Sequence, residues 1–338
     1  GSSADAMRPL PKIISRFALT GAAVACLLTG ANALGRDSGF TGVNYGPFHR
    51  PGQSPERSAR LPAEHIEADL DAISSAGFRF IRIFGLDNGL NQIVPIARRR
   101  FPELKFFVGV YVCGINHDDA TLPNSTRSQI DEAIRLANSY DSVVGVVVGN
   151  ECLAGEPEAC RIPVSIEQLI GDIETVRRGL AGPARTRVQV TTAMSMLAAV
   201  KHYETQGRRL AAHGDAVMVN IYPFFERVAA SDAPQAFAGA LRHVSRLYAP
   251  FGKPLIVGET GWPSAGPANG AAVPSREHQA AYIRAVSRYA HGERLSLFLF
   301  EMFDEPWKSA AESVGPHWGL FDKGGRPKYG PPFPWAAE

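Results

Sequence analysis

Eight short apolar runs at nearly even spacing constrain this chain more than any other feature. They fall at 40–45, 80–84, 106–111, 143–149, 188–192, 216–221, 255–258 and 295–300. Most are continuous rather than alternating, as in the VVGVVVG of 143–149. A strand that is apolar on every side chain is covered on both faces, which is the situation of a parallel sheet clad in helices. Between the runs the period changes to that of a helix. Ile66, Leu70 and Ile73 recur at i, i+4, i+7, as do Ile130, Ile134 and Ala137. Ile166, Leu169, Ile170 and Ile173 follow Ser165, which with Gln168 reads as a capping box. The pattern continues through Phe237, Leu241 and Val244, and again through Tyr282, Ala285, Val286 and Tyr289. Residues 40 to 295 make seven units of roughly 36, the length of a strand, a helix and two loops. The expected fold is α/β, a single-domain (β/α)8 barrel. A doubly wound open sheet is the alternative, but GVNYGP after the first run is not the glycine-rich phosphate turn of that fold.

The barrel is expected over residues 34–338, preceded by a leader over 1–33. Residues before Met7 read as a tag remnant or an upstream extension. Arg8, Lys12 and Arg16, an apolar run over 17–28 and Ala31-Asn32-Ala33 have the layout of a secretory signal peptide cut after Ala33. A lipoprotein anchored at Cys26 is the lesser reading, since Ala23 stands where that motif usually has Leu. The mature chain is therefore expected to be secreted or periplasmic. Without the leader, Lys+Arg minus Asp+Glu is 32 − 32 = 0, from 35 and 33 in the whole chain. A neutral chain without a basic run has no electrostatic footprint for nucleic acid or an anionic membrane, so neither is expected as a partner. A monomer is expected. Cys113, Cys152 and Cys160 remain after the leader. In an oxidising compartment an odd count leaves one thiol free. Cys152 and Cys160 bracket a short polar loop and are the expected pair, with Cys113 a buried small hydrophobe. No Cys/His spacing points to a metal, and no cofactor is expected.

Chemistry in such a barrel sits at the C-terminal ends of the strands. Those ends read Asn44-Tyr45, Arg82 with Phe84, Tyr111, Asn150-Glu151, Asn220 to Pro223, Gly258 to Trp262, and Glu301 with Asp304, Glu305 and Lys308 in the following turn. Glu151 and Glu259 each close a strongly apolar run and are 108 residues apart, three units, which places them on strands 4 and 7 of one mouth. Facing carboxylates about 5 Å apart are what a retaining glycosidase needs, one as nucleophile and one as acid then base. Tyr45, Tyr222, Phe224, Trp262, Trp307 and Trp318 supply flat apolar faces for sugar rings. Each residue also has a plain structural reading. A strand-end carboxylate often only caps a helix, Arg82 can serve as a carboxylate's structural partner, and the aromatics can be core.

At these residues the chain resembles glycoside hydrolase family 17. The motifs are GVNYGP (42–47), VGNE (148–151), VNIYPFF (219–225), VGETGWPS (257–264), FEMFDEPWK (300–308) and HWGLF (317–321), in order along the mature chain. The resemblance implies a barrel acting on β-1,3-glucan with net retention. It makes Glu151 the acid/base and Glu259 the nucleophile, has Asn150 bond the sugar 2-hydroxyl and Tyr222 orient Glu259, and matches Glu305 and Lys308 to charged positions near the site. Tyr45, Arg82, Trp262, Glu301 and Trp307 complete the expected substrate contacts. Glu301 and the Pro306-Trp307 pair depart from the plant-type pattern and resemble the bacterial and fungal branch, where glucanosyl transfer to a sugar acceptor is common. Plain endo-β-1,3-glucanase activity is the first alternative, a non-catalytic glucan-binding barrel the second, and a retaining enzyme for β-1,4-glucan or mannan the third.

Overall fold

The computed structural model describes residues 39–56, 61–309 and 313–336. The expected leader, its cleavage site and Cys26 lie outside them. Eight strands form a closed, all-parallel barrel in chain order, with β8 returning to β1. They are β1 (Thr41–Asn44), β2 (Phe80–Arg82), β3 (Lys105–Val110), β4 (Val143–Asn150), β5 (Gln189–Met194), β6 (Val217–Asn220), β7 (Leu255–Thr260) and β8 (Ser296–Leu299). The fold is the (β/α)8 barrel expected from the runs.

The outer layer contains α1 (Ala63–Ser75), α2 (Ile93–Arg100), α3 (Thr126–Ser139), α4 (Ile166–Gly179), α5 (Ala184–Arg187), α6 (Arg208–His213), α7 (Ala233–Tyr248) and α8 (Arg276–Gly292). Their apolar stripes turn inward: Ile66, Leu70 and Ile73 of α1 and Leu169, Ile173 and Val176 of α4 are all buried. Serine hydroxyls start three of them by accepting a backbone N–H that the first turn leaves unpaired. Ser125, Ser165 and Ser275 accept from Ser128, Gln168 and His278 at 3.1, 3.1 and 3.0 Å. The 197–213 stretch between β5 and β6 is wound in two π-helical turns before α6, a coil that the apolar spacing does not announce.

Two apolar regions account for the continuous strand runs. One lies between strands and helices. The other fills the barrel with Phe107, Val144, Val147, Ala193, Met218, Ile256 and Phe298. Phe40 stacks on Phe80 with ring centres 3.9 Å apart, and Phe107 meets Phe298 edge-on at 5.2 Å. Gly145 of β4 sits under the Phe107 ring, where any Cβ would clash with it. That is why a strand otherwise made of valines carries a glycine there.

The disulfide differs from the expectation. Cys113 pairs with Cys160, their Cα atoms 5.8 Å apart, and among the described residues Cys152 is the free thiol, and it is buried. The reason is local geometry. The backbone reverses at Gly149 (φ 78°) and Glu151 (φ 48°), which turns Cys152 into the core against Gly149. Burial pushes its thiol well above the usual range. Meanwhile the loop after β3 runs beside 160–163, with Gly114 N–H donating to the Ile162 carbonyl at 2.7 Å. Nearness in sequence favoured Cys152, whereas side-chain direction selects Cys113. The bridge spans 47 residues, and closing a loop of that length constrains the unfolded chain by about 4 kcal/mol in the chain-entropy model. Non-reducing peptide mapping should recover a fragment joining Cys113 to Cys160. Cys160→Ser should lower the unfolding free energy by about 2–4 kcal/mol, while Cys152 should react with thiol reagents only after denaturation.

Candidate active site

The C-terminal strand ends bring a compact set of polar side chains to one mouth. The ladder between β4 and β5 shifts register after Val147. With Gly149 and Glu151 at positive φ, this bend redirects Asn150 and Glu151. Glu151 N–H donates to the Ala193 carbonyl at 2.9 Å, which fixes the turn. A non-glycine residue in the left-handed region costs about 1 kcal/mol, so the surrounding bonds hold it there. Glu156 is one source. Its buried carboxylate accepts from Leu153 N and Ser195 N, both at 3.0 Å, and from Ser195 Oγ at 2.9 Å. It thereby ties the loop after Glu151 to the exit of β5.

Glu259 lies in β7, and its two oxygens have different partners. Arg82 Nη1 sits 3.4 Å from Oε1, and Tyr222 Oη donates to Oε2 at 2.5 Å. Arg82 also donates to the Gly258 carbonyl at 2.9 Å and to Asn150 Oδ1 at 2.8 Å. Asn220 Nδ2, at the end of β6, donates to Asn150 Oδ1 at 3.1 Å and to Glu151 Oε1 at 2.8 Å. One continuous chain of hydrogen bonds therefore runs from Glu259 through Arg82, Asn150 and Asn220 to Glu151.

The two carboxyls differ in what opposes burial. Burial raises Glu259, and the Arg82 guanidinium and then the Tyr222 hydroxyl pull it back by favouring the anion. Burial also raises Glu151, with the Glu259 charge adding to it, and only the Asn220 amide is a bonded partner in opposition; Glu151 is pushed up to about 8. No cation bonds Glu151 among the described residues. Both carboxyls are raised, but only Glu259 has a cation and a hydroxyl favouring its anion, so Glu151 is the better placed of the two to hold a proton. A neutral acid beside an ionised carboxylate is the pairing that retaining glycoside cleavage uses.

The remaining expected site residues divide. Lys308 Nζ lies 2.9 Å from both oxygens of Glu301 and 3.0 Å from Glu305 Oε2, and Trp307 Nε1 donates to that same Glu305 oxygen at 2.9 Å. These four, all in the segment after β8, form one locked cluster. The Trp307 ring is 41% exposed, so it offers a face to solvent. Four of the rings expected to face a sugar, those of Tyr45, Phe224, Trp262 and Trp318, are buried instead. Tyr45 is 1% exposed, and its hydroxyl donates to Asp69 of α1 at 2.6 Å, where Asp69 also accepts from Arg50 and pairs with His49. It anchors a loop to a helix and presents no ring to a sugar. Trp262 is fully buried, edge-on to Phe224 at 5.3 Å, with Nε1 donating to the Val273 carbonyl. It is core. Trp318 is 3% exposed and packs edge-on against Tyr222 at 5.4 Å, backing the ring that holds Glu259. The open aromatic faces near these strand ends are instead Tyr111 and Phe225, 48% and 56% exposed. Asn220 stands among the strand ends read from the sequence but was given no role there, and Glu156 was missed. Asn220 carries the same signal as Asn150, an amide closing an apolar strand. Glu156 has no sequence signal, since its role depends on how a loop folds back.

With this geometry the comparisons are informative. Residues 42–319 match the BtgE/BtgC glycoside hydrolase domain, and the chain belongs to that family. The resemblance to glycoside hydrolase family 17 holds with it. Similar proteins include the probable beta-glucosidase btgE of Aspergillus fumigatus, 29% identical over 291 residues, 85% of this chain and 46% of that protein. The cell surface mannoprotein MP65 of Candida albicans is 26% identical over 287 residues, 84% of this chain and 67% of that protein. The chain spans about half the length of the Aspergillus relatives it matches. Among solved structures, a family 17 β-1,3-glucanosyltransferase of Rhizomucor miehei superposes with a TM-score of 0.68 at 21% identity, over 86% of this chain and 95% of that one. An endo-laminarinase of Formosa superposes with 0.70 at 19% identity, over 84% and 83%. These two likenesses establish a shared fold.

The proton asymmetry has consequences for pH. Catalysis that uses Glu151 as its acid needs the protonated form, so on that reading kcat/KM should fall as pH rises through about 8. The Asn220 amide bonds the ionised form of Glu151, so Asn220→Ala should move that basic limb to higher pH. A limb that stays put or moves down would separate it from Glu151. Stability gives a second check. A carboxyl whose folded value lies above its ordinary 4.5 destabilises the fold increasingly as pH rises from that value to about 8. Glu151→Gln should therefore match the wild-type Tm near pH 4 and exceed it near pH 8.

Proposed function

We propose that the chain is a retaining glycosidase for β-1,3-glucan that passes the cleaved glycosyl group to a sugar acceptor or to water. The observation that carries this reading is the asymmetry at the mouth: Glu259 is clamped by Arg82 and Tyr222, whereas Glu151 is buried beside it with an amide and no bonded cation. Glu259 attacks the anomeric carbon while Glu151 gives its proton to the departing oxygen. As the ester forms, the Glu259 charge disappears and the Tyr222 and Arg82 bonds lose their anion. Glu151 is then a carboxylate no longer opposed by the Glu259 charge. It takes the proton of the incoming hydroxyl, and the original state returns. Asn150 adds an amide NH2 with no hydrogen-bond partner among the described residues, placed between the carboxylates and free for a sugar hydroxyl.

The glucan is assigned from the family and from what its similar proteins are named to act on. Transfer is favoured over plain hydrolysis by the segment after β8. There, Trp307 presents an open ring with its indole held to Glu305, and Phe225 presents a second open ring beyond β6. Such faces hold an acceptor sugar by apolar burial, and a positioned hydroxyl outcompetes water by several kcal/mol. Trp262 and Trp318, being buried, lend no support. The Cys113–Cys160 bridge fits secretion into an oxidising compartment.

Two experiments test the reading. Glu151→Gln and Glu259→Gln should each abolish turnover of laminarin-type oligosaccharides. With azide and an activated β-glucoside, Glu151→Gln should yield the β-azide and Glu259→Gln the α-azide; the same anomer from both would reverse or void the roles. At high donor concentration the wild type should make products longer than the donor, and Trp307→Ala should lose them while still cleaving donor. A time course with only shorter sugars would make this an endo-hydrolase, and no turnover at all would favour a non-catalytic glucan-binding barrel.

A further inference from the structure

Glu156 is a buried carboxyl to which the two-step mechanism gives no role. It lies five residues beyond Glu151 and is 7% exposed. Its Oε2 accepts from Leu153 N at 3.0 Å, and its Oε1 from Ser195 N at 3.0 Å and Ser195 Oγ at 2.9 Å. Each oxygen thus receives a backbone N–H. A glutamine amide has one accepting end, so it would set its NH2 against one of those N–H groups. A carboxylate satisfies both. Burial raises Glu156, while the two backbone donors, the serine hydroxyl and then His202 of the coil before α6 pull it back by favouring the anion.

The groups that Glu156 joins flank the turn that presents Glu151. Leu153 follows Glu151 on the same loop. Ser195 follows β5, whose Ala193 carbonyl accepts the Glu151 N–H at 2.9 Å. Glu156 N–H donates to the Leu153 carbonyl at 3.0 Å, which closes the loop into a turn. Glu151 holds φ at 48°, a region that a non-glycine residue keeps only when its surroundings fix it. The Ala193 bond grips the turn on one side and the Glu156 carboxylate grips it on the other.

Glu156 also acts on Glu151 through space. The groups facing Glu151 are Glu259 on β7, Asn220 on β6, Arg82 on β2, Tyr222 after β6, and Glu156 and Glu158 on its own loop. After burial and Glu259, Glu156 is the next group that disfavours the Glu151 anion; Glu158 adds in the same sense but is exposed. The two buried negative neighbours differ in one respect. Glu259 loses its charge when it bonds the anomeric carbon, whereas Glu156 meets no reacting atom and keeps its own through both steps. In the second step the acceptor O–H gives its proton to Glu151, its oxygen bonds the anomeric carbon, and the ester bond to Glu259 breaks to return that carboxylate. A lasting charge behind Glu151 keeps it basic at that moment, when the Glu259 charge is absent.

We propose that Glu156 is a positioning residue for Glu151: it locks the turn that presents the acid/base carboxyl and holds a lasting negative charge behind it. The proposal rests on the glycosidase reading above. The test compares Glu156→Gln, which keeps the size and drops the charge, with Glu156→Asp, which keeps the charge and shortens the arm. Laminarin-type oligosaccharides give the pH profile of kcat/KM. An activated aryl β-glucoside, whose leaving group needs no acid, gives kcat for the second step. In Glu156→Gln the basic limb should move to lower pH, and kcat on the activated donor should fall about tenfold, within what a slight misplacement costs. Glu156→Asp should also lose kcat, with its basic limb left near that of the wild type. Activity lost in Glu156→Gln with the limb unmoved would make Glu156 a structural tie only, and the same limb shift in both variants would assign the shift to geometry; either result overturns the proposal, as would wild-type behaviour in both. Ser195→Ala keeps the test decisive if the glutamine variant does not fold. It removes one donor and keeps the charge, so kcat should fall severalfold with the limb in place, and a wild-type kcat would overturn the proposal. A wild type that turns over no oligosaccharide would instead overturn the glycosidase reading.

Discussion

The mouth of this barrel depends on one buried guanidinium. Arg82 is 1% exposed, and a charge that deep is tolerated only when it is paired. Its two terminal nitrogens bond Glu259, the Gly258 carbonyl and Asn150, while Nε has no partner, and the Phe84 ring lies 4.5 Å beneath the guanidinium carbon. Each bond also does something for the chemistry. The first favours the Glu259 anion against burial, the second fixes the end of β7, and the third orients Asn150, from which Asn220 relays the geometry to Glu151. Losing one partner of a buried pair of this kind destabilises by about 3–5 kcal/mol. Stability and the charge state of the site thus share a single residue.

The same region stores much that opposes folding. Glu151 holds a left-handed backbone, two carboxyls sit close together out of water, and behind them Glu301 and Glu305 share one ammonium, that of Lys308. Burial and the neighbouring Glu305 push Glu301 well up, so that cluster too is a strained electrostatic arrangement. What offsets it is the closed sheet and its two apolar regions, in which β4 is buried on nearly every residue. The rigid strands let the loops at their ends carry groups that would not fold by themselves.

Much of this was legible in the sequence, and the reasons are specific. The strand runs were readable because parallel strands are apolar on both faces. Glu151 and Glu259 were readable because a carboxylate ending such a run has few reasons to be there. The failures share another cause. Whether Cys152 or Cys113 pairs with Cys160 depends on the direction in which a turn at positive φ throws a side chain, and no spacing encodes that. Whether Tyr45 and Trp262 face a sugar or a helix depends on loop packing, since an aromatic beside a strand end looks the same in either case. The role of Glu156 arises where separate loops meet, and it has no linear signature.

The central claim is that the proton shared by the two mouth carboxyls belongs to Glu151. The most direct measurement is a 13C NMR titration of carboxyl-labelled glutamate in the intact protein, assigned by comparing wild type with Glu151→Gln and Glu259→Gln. The account predicts that the higher step, near pH 8, vanishes in Glu151→Gln and moves to lower pH in Glu259→Gln, where the neighbouring charge is gone. A higher step that vanishes in Glu259→Gln instead would put the proton on Glu259 and contradict the account.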